Sequence, residues 1–200
     1  MIGRNLKYNG TFSSNGILFN ETISLVQILK SDNVEEFLAK EVKENNLLQI
    51  NSEATRGRAV REIRKRNKYT ETSFWDRFDQ STEPEQRLLF FYLCLKTYRI
   101  LFDLHFLVTV KRFYIDSTLP ETFYYKMAVD ELASENEKVA AWSETTLKKT
   151  LSNYRSLLRV SGLLKGDMLT SPNVDESFWD QFKTNCELWF LEACFQPINK

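Results

Sequence analysis

Hydrophobic positions along this chain recur mainly at helical spacing. Phe19, Ile23, Val26, Ile28 and Leu29 predict a first helix, closed by Ser31-Asp32-Asn33. Val34, Phe37, Leu38 and Val42 share one face of a second helix over about 33–45, which Asn45-Asn46 stops. Leu47, Leu48 and Ile50 form a short apolar bridge. Asn51-Ser52 then caps a third helix and places Glu53 at its positive end. Helix, short turn and capped helix is the order of a helix-turn-helix. Ser73 to Asp79 predicts a short helical piece, and Pro84 falls in the first turn of a long helix that runs to Phe102 or beyond and bends near Asp103. Further helices are expected over about 121–135, from Ser143 to Val160, and over about 176–195. Gly162 ends the second of these, and residues 163–170 predict a very short two-stranded wing around Lys165-Gly166-Asp167. The first fifteen residues are polar, with extended pieces around Tyr8 and Phe12. The pattern predicts an all-α fold. Residues 1–80 form an N-terminal helix-turn-helix unit, and residues 81–200 supply long core helices plus a second such unit, in one compact globule.

One pattern occurs twice. Ser52-Glu53-Ala54-Thr55 opens a stretch carrying Arg58, Val60 and Arg64; Ser143-Glu144-Thr145-Thr146 opens another carrying Lys149, Leu151 and Arg155. Each stretch is followed by a near-copy of one hexapeptide, Ser73-Phe74-Trp75-Asp76-Arg77-Phe78 and Ser177-Phe178-Trp179-Asp180-Gln181-Phe182. The Phe residues of each hexapeptide are four apart and share a helical face, so they predict structural pegs. Two basic helices with Ser/Thr-rich starts point to a duplicated unit with a polyanionic ligand.

Charge sharpens that picture. Formal net charge is zero, yet residues 52–69 hold seven Lys/Arg against two acids and residues 143–165 hold five against one. Electrostatic fields act over a Debye length of ~8–10 Å, so a neutral chain with segregated cations still attracts nucleic acid locally. Arg58, Arg61, Lys65 and Lys68 are spaced to share the face opposite Ala59, Val60 and Ile63, with Arg56, Arg64 and Arg66 flanking them. On the second helix Lys148, Ser152, Arg155 and Arg159 form a polar stripe beside Leu147, Leu151, Tyr154 and Leu158. Ser52, Thr55, Ser143, Thr145, Thr146 and Lys149 crowd the two helix starts, where exposed amides hold phosphate. The competing account of such runs is a solvated face, or partners for acids elsewhere.

Other chemistry finds little support. His105 is the sole histidine, set among Phe102, Leu104, Phe106 and Leu107, and predicts a core contact. Cys94, Cys186 and Cys194 show no C-x-x-C spacing, so neither a zinc site nor a disulfide framework is expected, and a reducing cytoplasm fits. No phosphate-loop, dinucleotide or H-E-x-x-H motif occurs, so no catalytic residue, metal, cofactor or small-molecule substrate is assigned. Lys96, Arg99 and Asp103 interrupt the greasiest region, 87–113, whose longest uncharged run is Leu88 to Leu95. A membrane span needs ~20 residues, so a buried core helix is expected.

The whole chain resembles the BrxA family, the small component of BREX (bacteriophage exclusion) defence systems. The likeness is carried by Tyr8 with Gly10, Gly16-Ile17-Leu18-Phe19-Asn20-Glu21, Glu44-Asn45-Asn46-Leu47-Leu48-Gln49, Thr55 with Arg61-Glu62-Ile63-Arg64-Lys65-Arg66, Phe90 to His105, and Leu157-Leu158-Arg159-Val160-Ser161-Gly162-Leu163-Leu164. The resemblance implies an all-α, cytoplasmic, non-enzymatic protein with helix-turn-helix elements that acts on duplex DNA beside the other members of a defence system. It supplies no catalytic residues. A protein–protein adaptor in the defence complex and an RNA-binding helical protein are the alternatives.

Overall fold

The central helix explains itself from its sequence. In the computed structural model, which describes residues 7–198, Leu88 through Leu95 are all buried, seven of the eight fully. A helix apolar on every side belongs inside, where each such side chain contributes about 1.5–3 kcal/mol by leaving water. Around it the chain is almost wholly helical: α1 (Thr11–Asn15), α2 (Phe19–Ser24), α3 (Val26–Leu29), α4 (Val34–Glu44), α5 (Glu53–Asn67), α6 (Thr72–Gln80) and the central α7 (Glu83–Thr97). Then come α8 (Arg99–Leu104), a π-helical turn (His105–Thr109), α9 (Val110–Asp116), α10 (Thr122–Glu135), α11 (Glu137–Ala140) and α12 (Glu144–Val160). A hairpin of β1 (Leu164–Lys165) and β2 (Met168–Leu169) precedes α13 (Glu176–Thr184) and α14 (Leu188–Ala193). The hairpin is antiparallel, pairing Leu164 with Leu169 and Lys165 with Met168. It is backed by the segment after α9, through Leu169 N–H to the Ser117 carbonyl (2.7 Å) and Leu119 N–H to the Asp167 carbonyl (2.8 Å). The all-α reading with a short wing therefore holds.

Several boundaries differ from the sequence-based expectation. Phe12 lies in the short helix α1, buried, rather than in an extended piece. The first predicted helix is interrupted at Leu25. The long helix breaks at Tyr98, whose backbone is extended (φ −117°, ψ 103°), and widens into the π turn beyond Asp103. The final helix is split at Cys186, which takes a left-handed φ of 56°. There Glu187 turns its carboxylate to the Tyr92 hydroxyl at 2.7 Å. Helical periodicity continues through such breaks, so the pattern alone does not reveal them. The hexapeptides do act as pegs. Trp75, Phe78, Phe178, Trp179 and Phe182 are buried, and Trp75 donates to the Asn67 side chain at 2.6 Å, pinning α6 to the end of α5. The second peg packs on α14 and on Tyr92.

A buried polar chain ties α12 to this centre. His105 Nε2 faces the Ala193 carbonyl at 2.8 Å, and Nδ1 faces the Tyr154 hydroxyl at 2.7 Å. A carbonyl only accepts, so Nε2 carries the proton and Nδ1 accepts from Tyr154. Tyr154 in turn accepts from Thr109 (2.7 Å), and Thr109 from Tyr125 (2.8 Å). Every donor in this chain points the same way. A proton on Nδ1 would reverse the sense of the Tyr154 bond.

Burial pushes the His105 imidazolium down to about 4 from 6.5, against the smaller opposing effect of the Ala193 carbonyl. Between those values the unfolded chain holds the extra proton, so stability rises with pH. This contribution of about 3 kcal/mol is fully present above pH ~6.5 and is lost as pH falls toward ~4. Denaturant melts at pH 7 and pH 4.5 will show that loss. A His105→Gln variant, less stable at pH 7, will show a smaller difference between the two.

Candidate nucleic-acid interface

Both basic helices start in the same way. Ser52 is extended and its hydroxyl accepts the Thr55 amide; Ser143 is extended and its hydroxyl accepts the Thr146 amide at 3.1 Å. Each cap satisfies one of the free amides at a helix start. Glu53 and Glu144 follow, next to the positive end of each helix dipole.

The connection from α4 to α5 is built by two buried charges of opposite sign. Glu41 of α4 accepts the amides of Asn46 (3.2 Å), Leu47 (2.9 Å) and Leu48 (2.8 Å). Arg56 of α5 donates to the carbonyls of Val42 (2.9 Å), Ile50 (2.5 Å) and Asn51 (3.2 Å). One side chain gathers the donors of the loop and the other gathers its acceptors. Arg56, expected to flank the phosphate-facing stripe, is instead buried and fully engaged with main chain. That expectation is corrected: charge patterning could not distinguish a loop clamp from a surface cation.

Arg66 is likewise internal, donating to the Tyr98 hydroxyl (2.8 Å) and the Ile17 carbonyl (2.5 Å). Tyr98 donates to Glu62, which also accepts from Asn15 at 2.9 Å. Burial alone would raise the Glu62 carboxyl, but the Tyr98 hydroxyl with Lys65 and Arg66 holds it below the usual range. Lys65 is half-buried, lies 4.4 Å from the Tyr98 ring centre, and donates to Asn9 (3.1 Å), Thr11 and Glu62 (3.4 Å). Burial pulls its ammonium down despite Glu62. Lys65 therefore drops out of the exposed stripe, because the helix rotates that position toward Tyr98. Arg64 pairs with Glu35 of α4 at 2.6 Å.

What remains outside on α5 is Ser52, Thr55, Arg58, Arg61 and Lys68, all exposed. Arg58 touches the Thr55 hydroxyl at 3.2 Å. On α12 the exposed set is Ser143, Thr145, Lys148, Lys149, Ser152 and Arg159, with Thr146 and Arg155 half-buried. Lys148 pairs with Glu144 at 3.0 Å, a solvent-exposed contact that water and salt screen. Among the described residues, Arg58, Arg61, Lys68, Lys149 and Arg159 form no ion pair. Arg155 donates to the Thr122 hydroxyl at 2.9 Å, and its buried Nε–H has no partner among the described residues.

Thr122, Lys148, Ser152, Arg155, Ser156 and Arg159 line a shallow groove of about 440 Å³ between α10 and α12. Thr122 and the exposed wing residue Lys165 extend the candidate surface beyond the residues picked out by sequence. Thr122 carried no signal, since it belongs to a different element. Lys165 was legible as part of a turn next to a basic helix.

The two helices are joined through α1. Asn153 of α12 donates to the Phe12 carbonyl at 2.8 Å, while α5 reaches the same short helix through Glu62 and Lys65. Thus five residues separate the two basic elements and fix one against the other.

Among the described residues, no helix is long and apolar enough to cross a membrane. A BREX protein BrxA from Bacillus cereus (strain H3081.97) is 24% identical over 159 residues, which is 79% of this chain and 79% of that protein. A crystal structure of an uncharacterized protein from Magnetospirillum magneticum shares the fold, with a TM-score of 0.79 at 16% identity, covering 94% of this chain and 98% of that one. The BrxA family profile matches residues 6–182. The chain belongs to the BrxA family.

Proposed function

We propose that the chain is a double-stranded DNA-binding, non-enzymatic component of a BREX phage-defence system, gripping the duplex with α5 and α12. The observation that carries this reading is the set of unpaired, exposed cations on two like-capped helices held either side of α1. Helix starts rich in hydroxyls and amides receive phosphate oxygens. The unpartnered Nε–H of Arg155 would gain an acceptor from a phosphate in the α10–α12 groove. Most contacts go to the backbone, which positions the protein on DNA without reading much sequence. Lys68, Arg61 and Arg58 form the α5 row; Lys148, Lys149, Arg155 and Arg159 form the α12 row, with the wing residue Lys165 beside it.

A gel-shift titration on duplex DNA across salt tests this. With about six phosphates neutralised, log K falls against log[salt] with a slope of about −5, and a flat response sinks the reading. Competition with structured RNA should leave duplex binding in place.

Substitutions should separate surface from scaffold. Changing Arg58, Arg61 and Lys68 together to Ala lowers that slope by about three and leaves the melting temperature unchanged. Arg56→Ala strands three carbonyls, costing about 2–3 kcal/mol and lowering Tm on the order of 5–10 °C. Its residual folded fraction keeps the wild-type salt slope.

A further inference from the structure

Six large exposed apolar side chains fall on neighbouring elements. Leu107, Tyr114, Ile115, Phe123, Tyr124 and Met127 are between 38% and 73% exposed and fall on α9, the π turn before it and α10. Leu107, Lys111 and Ile115 follow one helical stripe; Tyr124, Met127 and Glu131 follow another. The stripes form the walls of a groove of about 470 Å³ floored by Val108, Pro120 and Ala128. Water-facing surface of this kind marks an interaction site when it is contiguous. None of it belongs to the cationic rows.

Three charged residues line the groove, and one of them, Arg112, is paired with Asp116 at 2.5 Å. Lys111 stands on the α9 wall and Glu131 on the α10 wall, both exposed, and neither forms an ion pair among the described residues. If two copies met groove to groove about a two-fold axis set between these two residues, Lys111 of each would face Glu131 of the other, with the apolar stripes covering one another. This is the self-matching pattern an isologous contact requires. The α9–α10 hairpin and its mate would then pack as four helices around a shared seam.

We propose that this groove is the dimer interface of the protein, occupied by the same groove of a second copy. The proposal does not depend on DNA binding and is tested without DNA. Light scattering on the full chain, at concentrations from about 1 to about 100 µM, should give twice the 23.6 kDa chain mass. Ile115→Asp with Met127→Asp, at side chains 73% and 54% exposed, should give a monomer with unchanged helicity and Tm. Lys111→Glu alone and Glu131→Lys alone should each weaken the dimer at least about tenfold, a like-charge contact being costly. Mixing these two single variants, or combining both changes in one chain, should restore it. A monomer at every concentration overturns the proposal, as does a dimer indifferent to the apolar pair, or charge reversals that the mixture fails to rescue.

Discussion

Each basic helix is held to the centre by buried polar groups that must find partners, and this constraint sets the rest of the structure. A polar group taken out of water without a hydrogen bond costs several kcal/mol, so such networks accept very few geometries. On α5, Glu62 and Arg66 close around Tyr98; on α12, Tyr154 closes onto His105 and Thr109. Apolar packing alone would tolerate small rotations of a helix about its axis. These bonds do not. The inner network therefore decides which cations of each helix face outward.

The central segment is shaped to supply those partners. Tyr98 occupies the extended break after α7, and His105 and Thr109 bracket the π turn. His105 and Thr109 both reach the Tyr154 hydroxyl, so the widened turn presents two polar groups to one point of α12. Breaks in the regular helix coincide with the places where the two outer helices are seated. The same economy governs the α4–α5 loop, where Glu41 and Arg56 replace the missing backbone partners from either side.

The two basic helices have like entrances and unlike anchors. Both have a Ser cap with Glu next to it and a following aromatic peg. Inside, α5 uses an ionic set and α12 a neutral hydroxyl–imidazole chain. Local rules of helix initiation act on a few adjacent residues and are the same for both helices. Anchoring depends on what stands opposite, and Tyr98 and His105 are different neighbours. The groove beside α12 and the α9–α10 groove each take one wall from α10, through Thr122 in the first and Tyr124, Met127 and Glu131 in the second.

By itself the sequence determined the helical content, most helix starts, the wing, the buried central run and the two Ser-capped basic helices. These follow from periodicity and from short-range chemistry: a Ser cap, a Pro in a first turn, Gly162 at a helix end. It also carried the family likeness. Only the tertiary structure decided how a dense set of arginines and lysines divides. Arg56 and Arg66 went inside, Arg64 and Lys65 found neighbours, and Arg58, Arg61 and Lys68 stayed in water. Tertiary contact likewise broke the helices at Leu25, Tyr98 and Cys186, and brought Thr122 to Arg155. The reason is physical. Side-chain type fixes what a residue can bond to, but the cost of burying its charge depends on partners distant in the chain, and their approach is settled only when the core closes.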